Sequence, residues 1–199
     1  MGVFQFCATA DAAPSAPGAY ILQVDIAENA LVTIAGRSPT ELTAGCYLYC
    51  GSANGPGGLR ARLARHMRHG KSVHWHIDQL TECGIVVGSW IVPNGRQCEL
   101  VAMLGSLPMP IPGFGSSDCR RCRSHLLYRP TGVSVPLTGL NESHLDLANN
   151  LRLAPSFDPR QCARIDLIAQ EGPIMAKLKK RAKGQQRNRV TARESLAAG

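Results

Sequence analysis

Residues 45–66, GCYLYCGSANGPGGLRARLARH, change character twice and so limit what this chain can fold into. The first part alternates tyrosines with small residues, which predicts a strand with Tyr47 and Tyr49 on one face. A glycine-rich loop follows, and the end has leucines at helical spacing among arginines, which predicts a basic helix. Backbone N–H groups at the start of a helix favour anions, and glycines let a phosphate approach closely. The stretch therefore predicts a place that holds a phosphate diester.

Common nucleotide-binding loops do not match these glycines. No Gly-Lys-Ser/Thr follows them, which excludes a Walker A loop, and residues 55–58 do not fit the dinucleotide fingerprint. A mononucleotide pocket is therefore a weak interpretation.

Strand patterns precede and follow this stretch. YILQVDI predicts a strand, ENALVTIAG its hairpin partner, and CYLYCGS a third strand, so three strands come before any helix. IVVGSWIV predicts a fourth strand, and QCELVAMLGSL predicts a short helix with Glu99 in its first turn. The chain is thus predicted to mix strands and helices in one domain.

The charge is unevenly distributed along the chain. The 199 residues carry a net charge of +8, and residues 176–193 hold eight basic and no acidic residues. We predict a flexible, Pro-rich leader over residues 1–17, a folded domain over 18–130, and a basic, partly disordered extension over 131–199. The basic run suits nonspecific contacts with phosphates, although solvated charge is an equal alternative.

The cysteines indicate a reducing compartment. The eight cysteines are scattered, and no signal peptide pattern begins the sequence, so we expect a cytoplasmic protein with reduced thiols. No apolar stretch approaches the roughly 18–20 residues of a membrane span, so we expect no membrane partner. Nothing in the sequence indicates an obligate protein partner.

Several short blocks together carry a family resemblance. GAY at 18–20 and YCG at 49–51, followed by Leu59, Arg62 and His66, resemble the GIY-YIG nuclease superfamily. Within it, HWHID, CEL and GFGSSDC are similar to the stand-alone Uri-type endonucleases, much of which is described only as a domain of unknown function. The likeness covers about residues 18–130.

The resemblance implies a small α/β (α+β) domain with a mainly antiparallel sheet flanked by helices. It implies a metal-dependent endonuclease that hydrolyses DNA, with single-stranded or branched forms as candidates and Mg²⁺ or Mn²⁺ held by Glu99. The implied catalytic residues are Tyr20, Tyr49, Arg62, His66 and Glu99. The expected substrate contacts are Gly51, Ser52, Arg65, His74 and His76.

This sequence departs from the family pattern at two places. Ala19 and Cys50 replace the isoleucines at the motif centres, a change that matters little because those side chains alternate away from the tyrosine face. A late asparagine has no counterpart, and Ser116, Ser117 or Asp118 is a candidate substitute.

Each site residue also has a simpler interpretation. Tyr49 can merely pack, Arg62 can be a solvated helix charge, and Glu99 can favour the helix dipole. His66 lies four residues after Arg62, on the same side of the predicted helix, and can contact substrate or act as a base. A normal phenol, with a pKa of about 10, needs a neighbouring cation or metal-bound water to serve as a base. A module that binds nucleic acid without cleaving it is therefore an alternative.

Other groups have metal-ligand spacing. His74 and His76 share a face if their segment is extended, and Asp78 can orient a histidine or cap a helix. Residues 119–125, CRRCRSH, also have ligand-like spacing, with Cys98 a possible fourth ligand. A complete zinc site normally shows a second clear ligand pair, so the sequence favours packed thiols without zinc. A zinc-stabilised interaction protein is the alternative.

The basic extension gives a first prediction. Removal of residues 131–199 should weaken DNA binding and flatten its salt dependence while leaving the metal requirement intact, because counterion release scales with the number of phosphate contacts. Binding titrations over a range of salt concentrations measure this slope. An unchanged slope would make the extension a bystander, and loss of folding would place the domain boundary elsewhere.

Overall fold

Two long strands in the middle of a sheet organise the fold. The computed structural model describes residues 4–133, and in it β2 (Gly18–Ile26) pairs antiparallel with β5 (Gly45–Ala53) along their whole length. The other elements are β1 (Gln5–Cys7), β3 (Ala30–Val32), β4 (Thr40–Leu42), α1 (Gly58–Met67), α2 (His76–Cys83), β6 (Ile85–Pro93), α3 (Gln97–Met103) and β7 (Leu126–Arg129).

The main sheet has five strands in the order β1-β6-β2-β5-β7, and every pair of neighbours is antiparallel. Strands β3 and β4 form a separate two-stranded sheet. The predicted α+β class, with a mainly antiparallel sheet and flanking helices, is confirmed.

Side-chain alternation in the two central strands divides the core into two layers. One layer contains Tyr20, Tyr47 and Tyr49 with the leucines of α1 and α2, and the other contains Ala19 and Cys50 with the apolar residues of α3. The residues at the motif centres therefore point away from the tyrosine face, as the alternation predicts. Side chains of α1 and α2 pack in the same layer as the tyrosines, so these helices lie on the face where the site is expected.

The segment predicted as a flexible leader is part of the domain. Strand β1 pairs with β6, where Phe6 and Trp90 bring their ring centroids within 5.0 Å, and Ala13 is fully buried. Farther along, Pro14 and Ala16 each accept a hydrogen bond from a backbone N–H group of α1. The small, Pro-rich composition of residues 9–18 gave no sign of these long-range pairings, and the leader prediction is wrong for residues 5–16.

The predicted hairpin between β2 and β3 is also wrong. Strand β3 pairs with β4, and the Gln79 side chain bonds both the N–H and the C=O of Thr33 just after it. Both edges of β2 are already occupied, by β5 and β6, so β3 has no ladder to join there. The predicted extension over 131–199 lies almost wholly outside the described residues. Within residues 4–133, no helix has the length and apolar character needed to cross a membrane.

Gly51 gives a test of the packing in the central strands. It lies opposite Tyr20, and a Cβ at residue 51 would overlap the phenol ring, whereas a Cβ at Gly55 would meet no heavy atom within 4 Å. Gly51→Ala should therefore lower the free energy of unfolding by about 1–3 kcal/mol. Gly55→Ala is the control and should change it by less than about 0.5 kcal/mol. Denaturant titration measures both, and equal stability of the two variants would contradict this packing.

Candidate active site

A cavity of about 520 Å³ opens on the tyrosine side of the sheet, at the end of β2 and β5 nearest to α1. Four of the five predicted catalytic residues line it: Tyr20, Tyr49, Arg62 and His66. Ser52, a predicted substrate contact, lines it as well. Strand alternation brings the tyrosines to this face, and one helical turn brings Arg62 and His66 to the same side of α1.

A short hydrogen bond joins the sheet to α1 at the floor of the cavity. Tyr20 Oη lies 2.7 Å from His66 Nε2, and both residues are almost fully buried. Burial raises the pKa of Tyr20 well above its usual value and lowers the pKa of His66. At neutral pH the phenol is therefore the donor and a neutral imidazole is the acceptor, which assigns the His66 proton to Nδ1.

Asp78 lies behind His66 and caps α2, which is one of the two roles predicted for it. Its Oδ2 accepts the N–H groups of His74 and Trp75, each at 2.9 Å, and so caps α2. Oδ2 also accepts a 2.7 Å hydrogen bond from the Arg65 guanidinium. Its Oδ1 faces His66 Nδ1 at 3.7 Å, and neither atom has a hydrogen bond to any other described residue.

The Asp78 carboxylate is held ionised in a fully buried position. Burial by itself would raise its pKa, but His66, the two backbone N–H groups and Arg65 together outweigh burial and hold the pKa well below the usual range. A buried negative charge therefore stands directly behind the imidazole.

Arg62 is held in the cavity wall by an aromatic ring. Its guanidinium carbon lies 4.0 Å from the centre of the Trp75 ring, and within residues 4–133 it makes no ion pair or hydrogen bond. Its N–H groups are therefore available to an anion. Sequence reasoning missed Trp75, although HWHID places it just before the first residue of α2.

Arg65 differs from Arg62 because its guanidinium is engaged inside the protein. It bonds Asp78 and the carbonyl of Ser72 and also lies over Trp75, at 4.7 Å. The structure thus gives Arg65 a supporting position, and its predicted contact with substrate stays a prediction.

Tyr49 presents its hydroxyl to the cavity without a partner among the described residues. Its ring packs edge-on against Phe114, and burial raises its pKa to about 12. Gly115 adopts a φ of +68° with its α-carbon against the Tyr49 ring, where a Cβ would lie 2.5 Å from a ring carbon. The Gly115 N–H donates to His76 Nδ1 at 3.0 Å, so His76 fixes this loop, while His74 is exposed and packs on Trp75.

The N-terminus of α1 is not a vacant anion site. The N–H groups of Gly58, Leu59 and Arg60 bond the carbonyls of Gly55, Ala16 and Pro14. The prediction that phosphate binds these groups is therefore wrong. The physical reason is that the segment before β2 folds back over the helix and uses them.

Glu99 lies beside the main cavity. It is exposed in the first turn of α3 and lines a neighbouring cleft of about 560 Å³, which shares Ser52, Gln97, Cys98 and Arg121 with the main cavity. Of the three candidates for the late asparagine, Asp118 lines the main cavity, whereas Ser116 and Ser117 do not. Glu99 and Asp118 are thus two carboxylates at the edges of adjoining cavities.

Comparison with known proteins places the chain in a family. The model of one family, described as domain of unknown function DUF123, matches residues 19–145, which is more than half of the chain. No curated protein and no solved structure matches. The matched range includes both tyrosines, α1, α2 and α3, and thus every residue of the candidate site. The chain therefore belongs to the DUF123 family, a domain of unknown function.

Proposed function

We propose that this chain is a divalent-metal-dependent endonuclease that hydrolyses phosphodiester bonds in DNA, like the GIY-YIG nucleases that it resembles. The observation that carries the proposal is the 2.7 Å hydrogen bond between Tyr20 and a neutral His66, at the floor of a cavity that also holds an unpaired Arg62 guanidinium. A donor, an acceptor and a fixed cation are the groups that an in-line attack on a phosphodiester requires.

The proton path follows from the hydrogen bonds. An attacking water gives its proton to the Tyr20 oxygen as the Tyr20 proton passes to His66 Nε2. This leaves an imidazolium whose Nδ1–H faces Asp78 Oδ1 at 3.7 Å, and the buried carboxylate stabilises the new charge. A phenol of raised pKa is by itself a poor base, and His66 removes this obstacle because it accepts the Tyr20 proton.

Arg62 and Tyr49 act on the phosphate. The Arg62 guanidinium can donate two parallel hydrogen bonds to phosphate oxygens, and these bonds strengthen as negative charge develops. With a pKa near 12, the Tyr49 hydroxyl remains protonated and donates a further hydrogen bond. Two more arginines, Arg120 and Arg121, line the same cavity and suit a polyanion.

The metal-binding residue in this proposal is Glu99. Its carboxylate is exposed and has no partner among the described residues, as a ligand for Mg²⁺ or Mn²⁺ should be before substrate arrives. When bound, the ion supplies positive charge to the leaving oxygen and to the phosphate. Asp118 is a candidate for a second carboxylate because it lines the main cavity.

A cytoplasmic setting accompanies this proposal. The scattered cysteines of the sequence support this setting.

A second candidate function is a module that binds DNA without cleaving it, and the observation that favours it is the separation of Glu99 into a neighbouring cleft. Incubation of the protein with single-stranded, duplex and branched DNA, with Mg²⁺, Mn²⁺ or EDTA, separates the two functions.

The metal ligand gives the first test of the mechanism. Glu99→Gln keeps the side-chain volume but removes the charge that holds a hard cation, so cleavage should fall by about 100-fold or more while DNA binding survives. Glu28→Gln is the matched control, since Glu28 is exposed in a turn and lines neither cavity. Cleavage by wild-type protein in EDTA, or normal cleavage by Glu99→Gln in Mg²⁺, would refute the metal mechanism.

The phosphate contact gives a second test. Arg62→Ala should lose both cleavage, by about 100-fold or more, and some DNA affinity, because the guanidinium contacts the bound phosphate and the transition state. Arg68→Ala removes the same charge from an exposed residue at the end of α1 that lines neither cavity, and it should retain cleavage. Single-turnover cleavage and binding titrations measure the two effects. If the two variants cleave and bind DNA equally well, Arg62 contributes only to the overall positive charge and does not contact the phosphate.

The pH profile tests the base. Because the pKa of His66 is lowered from its ordinary value of about 6.5, His66 stays neutral at and somewhat below pH 6.5. The rate of single-turnover cleavage should therefore stay constant at and somewhat below pH 6.5. It should fall only at lower pH, because His66 then gains a proton and can no longer accept one from Tyr20.

Tyr20→Phe should be nearly inactive at every pH, whereas Tyr128→Phe, outside the cavity, should match wild type. A fully active, folded Tyr20→Phe would remove this hydroxyl from the mechanism.

A further inference from the structure

Four possible metal ligands from three segments meet at one edge of the cavity. Cys98 lies in the first turn of α3, Cys119 and Cys122 lie in the loop that follows Phe114, and His125 directly precedes β7. One ligand atom from each of the four lies within 4.8 Å of all the others. Within residues 4–133 this is the only group of three or more His, Cys, Asp or Glu residues with such an arrangement.

The sulfur spacing suits a shared metal ion. The Sγ atoms of Cys98 and Cys119 lie 3.6 Å apart, far beyond the roughly 2.05 Å of a disulfide bond. With Zn–S bonds of about 2.3 Å, tetrahedral zinc holds two sulfurs about 3.8 Å apart. The observed distance is therefore close to one edge of a zinc tetrahedron.

His125 gives independent support for a metal ion at this position. The residue is 1% exposed, and its Nε2, a buried atom, has no hydrogen bond to any described residue. A buried polar nitrogen without a partner is costly. Coordination to a metal removes that cost, because the neutral imidazole then donates its lone pair.

The CRRC turn favours thiolate ligands. Cys119 Sγ accepts the backbone N–H groups of Arg121, at 3.4 Å, and of Cys122, at 3.3 Å. Three thiolates and one neutral histidine around Zn²⁺ carry a net charge of −1. The exposed side chains of Arg120, Arg121 and Arg123 surround this turn with positive charge and compensate for it.

We infer that Cys98, Cys119, Cys122 and His125 form a closed structural zinc site of the Cys₃His type. Four protein ligands leave no open coordination position, so the ion does not take part in hydrolysis. The sequence favoured packed thiols without zinc because it showed no second ligand pair beside Cys119 and Cys122. In the fold, Cys98 and His125 lie next to these two cysteines and form that second pair.

The site has a consequence for the cavity. Zinc joins the N-terminus of α3 to the loop before β7, and both Cys98 and Cys119 line the cavity wall. Glu99 directly follows Cys98, so its position depends on the same anchor. The zinc site itself does not rest on the proposed nuclease activity, and its test needs no substrate.

Metal analysis of the full chain tests the inference. Untagged protein, purified under reducing conditions without chelator, should contain about one zinc per chain, since structural sites bind tightly. Cys122→Ser and His125→Asn should each lower the zinc content at least several-fold. Cys46→Ser is the control, because Cys46 is partly exposed on β5 and outside the cluster.

Cobalt substitution keeps the test decisive if the variants fail to fold. Zinc-stripped wild-type protein titrated with Co²⁺ under reducing conditions should show the thiolate charge-transfer band and intense visible bands of tetrahedral cobalt, saturating at about one ion per chain. Reduced wild-type protein with little zinc and no such spectrum would overturn the inference. Mass spectrometric detection of a Cys98–Cys119 disulfide in protein kept reduced throughout would overturn it as well.

Discussion

The buried carboxylate of Asp78 is the interaction on which the candidate site depends. An ionised carboxylate in a fully buried position is unfavourable by several kcal/mol unless its oxygens are satisfied, and here Oδ2 accepts three hydrogen bonds. These bonds tie α1, through Arg65, to the first turn of α2, and they fix Trp75 at the helix start. Trp75 in turn supports Arg62, and the other carboxylate oxygen faces His66. One charged group thus lies behind the supports of both the Arg62 guanidinium and the His66 imidazole.

Close packing of glycine against tyrosine complements this electrostatic anchor. Gly51 lies against the Tyr20 ring and Gly115 against the Tyr49 ring, in both places too close for a Cβ. The rings are consequently held with few alternative rotamers, and only their hydroxyl ends differ in environment. The Tyr20 hydroxyl is bound to His66, whereas the Tyr49 hydroxyl faces the cavity. Two similar side chains on adjacent strands thereby acquire different tasks in the proposed mechanism, one in the proton path and one at the phosphate.

The sequence predicts those features that depend on short-range periodicity. Period-two alternation correctly assigns Tyr20 and Tyr49 to one face and Ala19 and Cys50 to the other, and helical spacing correctly brings Arg62 and His66 together. The failures all involve partners far apart in the chain. The carbonyls that occupy the α1 N-terminus and the strand that β3 joins are decided by tertiary packing, which a local pattern does not encode. Asp78 is intermediate, because its capping role is local while its approach to His66 is long-range.

The separation of Glu99 from the tyrosine cavity has a physical meaning under the proposed function. In-line displacement places the attacking and leaving oxygens on opposite sides of the phosphorus, so a base and a metal ion that serve the two oxygens should occupy different regions. The main cavity holds Tyr20 and His66, the neighbouring cleft holds Glu99, and Ser52 borders both. A phosphate near Ser52 would then lie between the base and the metal ligand. The inferred zinc ion would act on this same boundary, since Cys98 anchors the helix turn that carries Glu99. The spacing between the two halves of the site would thus depend on a structural ion that touches neither the water nor the DNA.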